Sequence, residues 1–222
     1  MEEHIVKILD IRQVTHDVKL FRIEKPDGYS FVPGQATEVS INISGLRDEK
    51  RPFTFTCLNS MPYLEFVIKI YPSHNGVTNE LGKLHPGAEL IIRDVWGAIF
   101  YKGKGIFIAG GAGITPFIAI FRDLQRKNSV KGNKIIFANK SRSDIILEEE
   151  FRSLLGDGFI NILSEENETG YYHGWITEDF LKDHITDFRT NFYLCGPPPM
   201  MQNVLKQLAN LGAGENSITI EL

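Results

Sequence analysis

The stretch with the clearest chemistry is GGAGITPF, residues 110–117, which follows an apolar run and precedes a predicted helix. Its glycines can adopt backbone angles denied to other residues, and they let a ligand approach the main chain. Pro116 suits the first position of the helix, where its missing N–H is not needed. The free amides and partial positive charge at the start of a helix can bind a phosphate. The stretch therefore predicts a nucleotide-binding turn, the alternative being a tight turn whose glycines serve packing.

A second stretch, CGPPPMM at residues 195–201, comes at the end of another predicted strand. Ligands in open α/β sheets bind beyond the carboxyl ends of the strands, and Cys195 falls at such an end. Taken alone, Cys195 could equally be a buried, small apolar thiol, and the prolines a rigid loop before a helix.

The first half of the chain carries KRPFTFT at residues 50–56. The planar guanidinium of Arg51 suits phosphate oxygens, and Phe53 projects to the same side of a strand, where it can lie on a flat ring. Further on, Gly76 precedes a short helical stretch, and Thr78 could bind a phosphate from its first turn. One at a time, these residues have ordinary explanations: a surface charge at Arg51, a core aromatic at Phe53 and a helix cap at Thr78.

The elements that must position these residues change character near residue 100. Before it, apolar residues alternate with polar ones and turns intervene, which predicts an antiparallel β-barrel or sandwich. After it, apolar runs alternate with helical stretches, which predicts βαβ units around a parallel sheet. The fold class predicted is an N-terminal antiparallel β-barrel followed by an α/β domain with a parallel five-stranded sheet. We place the domains at 1–101 and 104–222. The predicted α/β elements are strands 106–109, 135–138, 160–163, 192–195 and 218–221, and helices 116–126, 148–155, 178–184 and 200–209.

Composition excludes several classes of function. A formal charge of −4 gives no basic surplus for binding nucleic acid. The N-terminus is charged and no apolar run approaches the roughly 20 residues of a membrane span, so we expect no membrane insertion or secretion. Cys57 and Cys195, the two cysteines, lie far apart and form no metal-binding or iron–sulfur set. We expect a protein without a metal, in the reducing cytoplasm.

Together the motifs resemble those of the ferredoxin–NADP reductase-like flavoproteins. The family pattern RxY[ST] is similar to residues 51–54, and Gx[ST] before a short helix is similar to residues 76–78. The glycine turn ending in proline matches residues 111–116, and CGP[PG]xM matches residues 195–200. The turn at residues 33–35, PGQ, is also typical. The motifs stand in the family order and span essentially the whole chain.

The resemblance implies that FAD binds the barrel and that NADH or NADPH binds the α/β domain, with the nicotinamide meeting the flavin. The catalytic residues would be Thr54, Cys195 and Glu221. Thr54 would lie near the flavin N5, and Cys195 would flank the nicotinamide together with Thr115. The FAD-binding residues implied are Arg51, Pro52, Phe53, Thr54, Val67, Ile68, Lys69, Gly76, Val77 and Thr78. Those implied for the nicotinamide nucleotide are Gly111, Gly113, Ile114, Thr115, Pro116, Ser164, Glu165, Cys195, Gly196, Pro197 and Met200.

The chain departs from the family pattern in three places. Phe53 replaces the usual tyrosine, which keeps ring stacking and loses a hydrogen bond. At the C-terminus, Glu221 stands near the position where many relatives carry an aromatic residue that covers the flavin; it could relay protons, orient the nicotinamide or be a solvated chain end. Glu165 follows the third α/β strand, where NADPH users often have an arginine. A carboxylate there would repel a 2′-phosphate and favours NADH, while Lys140 and Arg142 could restore the positive charge.

The function that the resemblance implies is hydride transfer from NAD(P)H, with NADH favoured, to FAD. Electrons would then pass to a separate acceptor, which is a ferredoxin, a flavodoxin, another redox protein or a small molecule. The alternative is a flavin- and nucleotide-binding subunit of a larger complex, inactive or regulatory on its own. If the chain were a structural relative that binds no cofactor, the match of Arg51, Thr78 and Cys195 to the cofactor motifs would have to be a coincidence.

Overall fold

The computed structural model describes residues 2–73, 76–97 and 99–220. It divides into two compact units. The first unit is Met1–Phe100 with Thr115–Asp123, and the second is Tyr101–Ile114 with Leu124–Leu222. Residues Thr115–Asp123, which follow the glycine turn in the sequence, thus belong to the first unit. The domain boundary at 101–104 stays a prediction.

The first unit contains an antiparallel sheet of six strands in the order β4-β3-β6-β1-β2-β5. Just beyond β4, the Thr56 amide donates to the Glu65 carbonyl of β5 at 2.8 Å, so the first and last strands of that order meet. The predicted antiparallel fold is confirmed. The elements are β1 (His4–Thr15), β2 (Val18–Glu24), β3 (Ala36–Ile41), β4 (Arg51–Thr54), β5 (Tyr63–Lys69), α1 (Val77–Leu81) and β6 (Glu89–Trp96).

The core of the first unit is built from the alternating apolar residues of these strands, with Phe55 stacked on Phe31 at 4.2 Å between ring centroids. Two charged side chains are buried as well, and each is paired. Arg93 lies 2.8 Å from the Glu3 carboxylate and donates to the Ser40 hydroxyl. Glu65 alternates with apolar neighbours along β5, which places it on the outer face of that strand. It is nevertheless buried, and its carboxylate pairs with Arg22 and Arg122.

The second unit contains a parallel sheet of six strands in the order β10-β9-β8-β7-β11-β12. The strands are β7 (Gly105–Gly110), β8 (Lys134–Asn139), β9 (Phe159–Leu163), β10 (Tyr172–His173), β11 (Asn191–Cys195) and β12 (Ile218–Ile220). The predicted parallel α/β fold is confirmed, with six strands in place of five. The additional strand is β10, whose two exposed residues pair with the end of β9 and carry no apolar run that would reveal a strand.

Helices alternate with these strands as predicted. They are α2 (Thr115–Arg126), α3 (Glu148–Leu155), α4 (Glu178–His184) and α5 (Pro198–Asn210). Short 3₁₀ turns cover Gly111–Ile114, Arg142–Asp144, Gly156–Gly158 and Glu215–Ser217. Because α2 begins at Thr115, Pro116 occupies its second position instead of the predicted first. Proline is tolerated throughout the first turn, where the N–H groups have no partner within the helix.

Within the part of the chain that the structure describes, no helix is both long enough and apolar enough to cross a lipid bilayer.

Candidate functional site

The strand order of the second unit creates a switch point between β7 and β11. From β7 the chain adds β8, β9 and β10 on one side, then returns to add β11 and β12 on the other. Connections that leave in opposite directions open a crevice at the carboxyl ends of the two strands, where ligands of such sheets bind. Cys195, which ends β11, is in register with Ala109 near the end of β7. Both predicted nucleotide motifs therefore begin at this crevice.

The two motifs pack directly on each other. A Cβ atom added to Gly113 would lie 2.3 Å from the Cys195 carbonyl oxygen, and one added to Gly110 would lie 2.5 Å from the Met200 Sδ. A Cβ added to Gly196 would lie 2.7 Å from the Met200 Cε. The contacts of Gly113 with the Cys195 backbone and of Gly110 with Pro197, whose Cδ would lie 2.9 Å from the added Cβ, require glycine, so the packing role considered from the sequence is real at these two positions. At Gly196 the neighbour is the end of the flexible Met200 side chain, which can move.

Gly111 has a different role. Its φ of +52° lies in the left-handed region, and a Cβ added there would meet nothing within 4 Å. The main chain at this turn is therefore bare towards open space, as a bound phosphate requires. Ile114, the last residue of the turn, is buried.

A buried tyrosine, Tyr193, lies in the middle of β11. The ring of Tyr193 stacks on Phe107 of β7 with centroids 4.2 Å apart. Its hydroxyl accepts from the Lys102 amide at 2.8 Å and donates to the Gly103 carbonyl at 2.8 Å. Burial raises the pKa of this phenol, so it stays protonated and remains a donor. Cys195, two residues later, is half-buried.

The segments that follow β8 and β9 lie side by side. The Ser164 amide donates to the Asn139 carbonyl and the Glu165 amide to the Lys140 carbonyl, both at 2.9 Å. The Lys140 ammonium lies 2.9 Å from the Glu165 carboxylate, and this hydrogen bond raises the pKa of Lys140. Glu165, predicted at this edge of the sheet, is thus paired with one of the two cations that were candidates for a 2′-phosphate.

In the first unit, β4 presents Arg51 and Phe53 to one side, as strand periodicity requires. The Arg51 side chain is exposed; it donates to the Lys50 carbonyl and lies 3.6 Å from the Glu49 carboxylate. Phe53 is half-buried, with its ring centroid 6.4 Å from that of Phe66, and Thr54 is buried. An exposed guanidinium and a partly open ring fit the phosphate and the flat ring of a flavin nucleotide.

The remaining FAD candidates lie on β5 and at α1. Val67 and Ile68 are buried, and the Lys69 ammonium lies 2.8 Å from the Asp17 carboxylate. Gly76 is the N-cap of α1, so Thr78 is its second helical residue and the helix-cap explanation for Thr78 is wrong. Among the described residues, no acceptor contacts the amides of Val77 and Thr78. Glu221 lies outside the described residues.

Two family models match the chain in succession. That of oxidoreductase FAD-binding domains matches residues 6–101, and that of oxidoreductase NAD-binding domains matches residues 107–206. The chain belongs to the ferredoxin–NADP reductase-like flavoproteins. The predicted cofactor classes, a flavin on the first half and a nicotinamide nucleotide on the second, are confirmed at the level of these domains.

Curated relatives in this flavoprotein family are longer than the chain. NADH-cytochrome b5 reductase 2 of Mycosarcoma maydis is 29% identical over 217 residues, which are 88% of this chain and 62% of the relative. A component of the Na(+)-translocating NADH-quinone reductase of Yersinia pestis is 31% identical over 160 residues, or 65% of this chain and 39% of that component. The chain thus spans less than two thirds of either relative.

Solved structures of other flavoproteins share the fold. The FAD/NAD-binding domain of nitric oxide dioxygenase from Vibrio cholerae has a TM-score of 0.88 at 22% identity, covering 99% of this chain and 98% of that domain. A ferredoxin NADP+ reductase from Neisseria gonorrhoeae with bound FAD and NADP has a TM-score of 0.87 at 17% identity, covering 100% and 98%.

Sequence reasoning missed one group of residues near the nucleotide edge. Glu166 accepts a hydrogen bond from the Arg142 amide at 2.6 Å, and Tyr171 donates its hydroxyl to Glu148. The adjacent acidic residues after β9 were a signal for the first of these contacts. Nothing local in the sequence indicates the second, because α3 and the segment after β9 meet only through the fold.

Proposed function

We propose that the chain transfers a hydride from NAD(P)H, with NADH favoured, to FAD and then passes electrons to a separate acceptor. The observation that carries this proposal is the packing of the glycine turn against the Cys195 motif at the β7–β11 switch point. That arrangement supports a nicotinamide nucleotide site in a chain whose other half is an FAD-binding domain. Bound FAD would accept electrons as a hydride and release them singly.

The residues of the chain would bind and orient the two rings and exclude water. Arg51 would hold the FAD pyrophosphate together with the amides of Val77 and Thr78. Phe53 would pack on the flavin, and Thr54 would donate a hydrogen bond near the reacting edge. This geometry must hold the reacting atoms within about 3–3.5 Å of each other.

Gly111 and Gly113 would hold the nucleotide pyrophosphate. Cys195 would flank the nicotinamide together with Thr115, the first residue of α2. The preference for NADH rests on Glu165, which can accept from a ribose hydroxyl and repels a 2′-phosphate. Its pairing with Lys140 supports this preference, because that cation is already occupied by a carboxylate.

The acceptor is proposed to be a redox protein. What supports this is the similarity to a relative that is named a cytochrome b5 reductase, after a redox protein. The alternative, an electron-transfer subunit of a larger complex, is favoured by the similarity to a component of a quinone reductase.

The test is an anaerobic titration of the purified, FAD-loaded chain with NADH and, separately, NADPH, following flavin absorbance. Bleaching by a stoichiometric amount of NADH, with a weaker response to NADPH, is the expected result. A chain that takes up no FAD would overturn the assignment of Arg51 and Phe53. A yellow chain that neither nucleotide bleaches, and that does not reduce ferricyanide, would favour the subunit alternative.

A further inference from the structure

The antiparallel sheet of the first unit closes on itself at a seam between its two end strands. Within the described part of the chain, β4 and β5 share no ladder of paired residues. They meet just beyond β4, where the Thr56 amide donates to the Glu65 carbonyl at 2.8 Å. Both residues are buried. We call the contacts between Thr56 and Glu65 the seam.

Side chains strengthen the seam. The Thr56 hydroxyl donates to the Glu65 carboxylate at 3.0 Å. One nitrogen of the Arg122 guanidinium, Nη1, donates both to that carboxylate at 2.7 Å and to the Thr56 carbonyl at 2.8 Å. Arg122 lies in the part of α2 that belongs to the first unit. It therefore binds both sides of the seam at once.

A second arginine binds the same carboxylate from β2. The Arg22 Nε donates to the other carboxylate oxygen of Glu65 at 3.0 Å, and these two residues are direct partners in the register of β2 and β5. The Arg22 guanidinium also lies 4.7 Å from the centroid of the Tyr63 ring. The side chains of Arg22 and Arg122 are 29% and 23% exposed. Two arginines of similar exposure thus share one carboxylate, and of the two it is Arg122 that also binds Thr56.

The seam lies beside candidate flavin residues of both strands. Side chains two residues apart along an extended chain project to the same side. Thr54 therefore projects to the side of Thr56, with Phe55 between them in the core, and Val67 projects to the side of Glu65. Because the Thr56 hydroxyl meets the Glu65 carboxylate, Thr54 and Val67 project to a common side of the sheet. The seam thus fixes the spacing between two residues predicted to bind FAD.

We propose that Arg122 and Glu65 are positioning residues for the flavin, which they place by closing the seam. This inference rests on the proposed function and deepens it, because neither residue belongs to the set predicted to bind FAD. Hydride transfer requires the reacting atoms within about 3–3.5 Å of each other, and a displacement of about 1 Å can slow it about a hundredfold. An open seam would move Thr54 relative to Val67, which should weaken FAD binding and slow hydride transfer.

A role in charge balance or in stability alone gives a different expectation. Removal of either guanidinium takes one positive charge from the same buried carboxylate, so such a role would make Arg22 and Arg122 equivalent. Positioning makes them unequal, because loss of Arg122 also releases the Thr56 carbonyl at the seam. Arg22→Met is therefore a matched control for Arg122→Met.

The experiment titrates FAD into the full chain freed of flavin and measures the dissociation constant for each variant. We expect Arg122→Met to weaken FAD binding about tenfold and Arg22→Met to weaken it less than about threefold. Arg122→Lys, whose ammonium can donate to both acceptors, should stay within about threefold of the wild type. At saturating FAD, the visible circular dichroism of the flavin, which reports the surroundings of the ring, should change in Arg122→Met and not in Arg22→Met. Urea unfolding shows that the proteins compared are folded.

The inference is wrong if the two methionine variants lose FAD affinity equally, if Arg122→Met binds FAD as the wild type does, or if Arg122→Lys recovers nothing. If Arg122→Met does not fold, Thr56→Val tests the other side of the seam. It removes the hydroxyl bond to Glu65 and keeps a branched side chain, so the expected loss of FAD affinity is about threefold.

The wild-type chain separates this inference from the proposed function. A wild-type chain that binds FAD and is bleached by NADH, with variants that contradict these expectations, would refute the positioning role and leave the proposed function intact. A wild-type chain that takes up no FAD would refute both.

Discussion

The two cysteines show how much a residue's surroundings decide its chemistry. Cys57 is 3% exposed in the core of the first unit, and burial raises the pKa of its thiol to about 11. A thiol of that kind is inert near neutral pH. Cys195 is half-buried at the carboxyl end of β11, beside the bare main chain of the glycine turn. Cys57 is therefore a core residue of the first unit, whereas Cys195 is a candidate site residue of the second.

We predict that Cys195→Ala and Thr54→Val each slow flavin reduction by NADH about tenfold while FAD stays bound. Each change removes one contact of the order of 1.4 kcal/mol from the arrangement of the two rings, which corresponds to that factor. Stopped-flow absorbance under anaerobic conditions measures the rate, and the flavin spectrum of the desalted protein reports retention. Cys57→Ala is the control, since it removes a thiol from the core without touching either site. An unchanged rate in Cys195→Ala would remove that residue from the mechanism.

At the scale of elements, the local signals in the sequence were sufficient for most helices and strands. Helices α3 and α4 have the predicted bounds, because amphipathic periodicity defines their faces and Thr177 caps the second by accepting from the Phe180 amide. Strand β10 could not be predicted, because two exposed residues carry no period. Glu65 was placed on a polar face by alternation, and only the fold brings Arg22 and Arg122 to it.

The sequence predicts the separate motifs of the candidate site, but it does not predict how they pack against each other. Glycines and a helix start identify the turn at residues 110–117 from local chemistry alone. That Gly113 meets the Cys195 carbonyl follows from the register of β7 against β11, which local sequence does not specify. The contact of Glu166 with the Arg142 amide is of the same kind.

Two glycines of the turn provide a matched pair of substitutions. In Gly113→Ala the new Cβ meets the Cys195 backbone at 2.3 Å, so one of the two motifs must move. We expect a loss of about 3 kcal/mol in stability, from overpacking, and a loss of NADH binding. In Gly111→Ala the Cβ enters open space and only the left-handed backbone is strained, at a cost of about 1 kcal/mol.

Urea unfolding and NADH titration of the two variants measure these effects. Equal losses of stability in Gly111→Ala and Gly113→Ala would show that backbone strain, and not the close approach of the two motifs, explains these glycines.

At the scale of the whole molecule, residues Thr115–Asp123 of α2 belong to the first unit, although they follow the nucleotide turn in the sequence. Within that unit, Arg122 of α2 donates to the Glu65 carboxylate at 2.7 Å and to the Thr56 carbonyl at 2.8 Å. Arg22 donates to the other carboxylate oxygen at 3.0 Å. Glu65 and the Thr56 carbonyl thus both bind Arg122 of α2 within the first unit, although α2 comes from the second half of the sequence.

Loss of the Glu65 charge should therefore lower the free energy of unfolding of the first unit by more than the loss of a surface ion pair would. We expect Glu65→Gln to cost roughly 2 kcal/mol, below the range for fully buried pairs because both arginines keep partial contact with water. Glu38→Gln is the control and should cost less than about 0.5 kcal/mol, because its carboxylate is 34% exposed and lies 3.8 Å from the Lys50 ammonium, which is 35% exposed.

The two tryptophans of the chain allow the effect of Glu65→Gln to be located, because Trp96 lies in the first unit and Trp175 in the second. In a Trp175→Phe background, urea unfolding followed by Trp96 fluorescence should show the full loss. In a Trp96→Phe background, Trp175 should report a smaller one, since only residues 124–126 of α2 belong to its unit. If Trp96 reports no greater loss for Glu65→Gln than for Glu38→Gln, the buried carboxylate does not hold α2, and packing of its apolar face must do so instead.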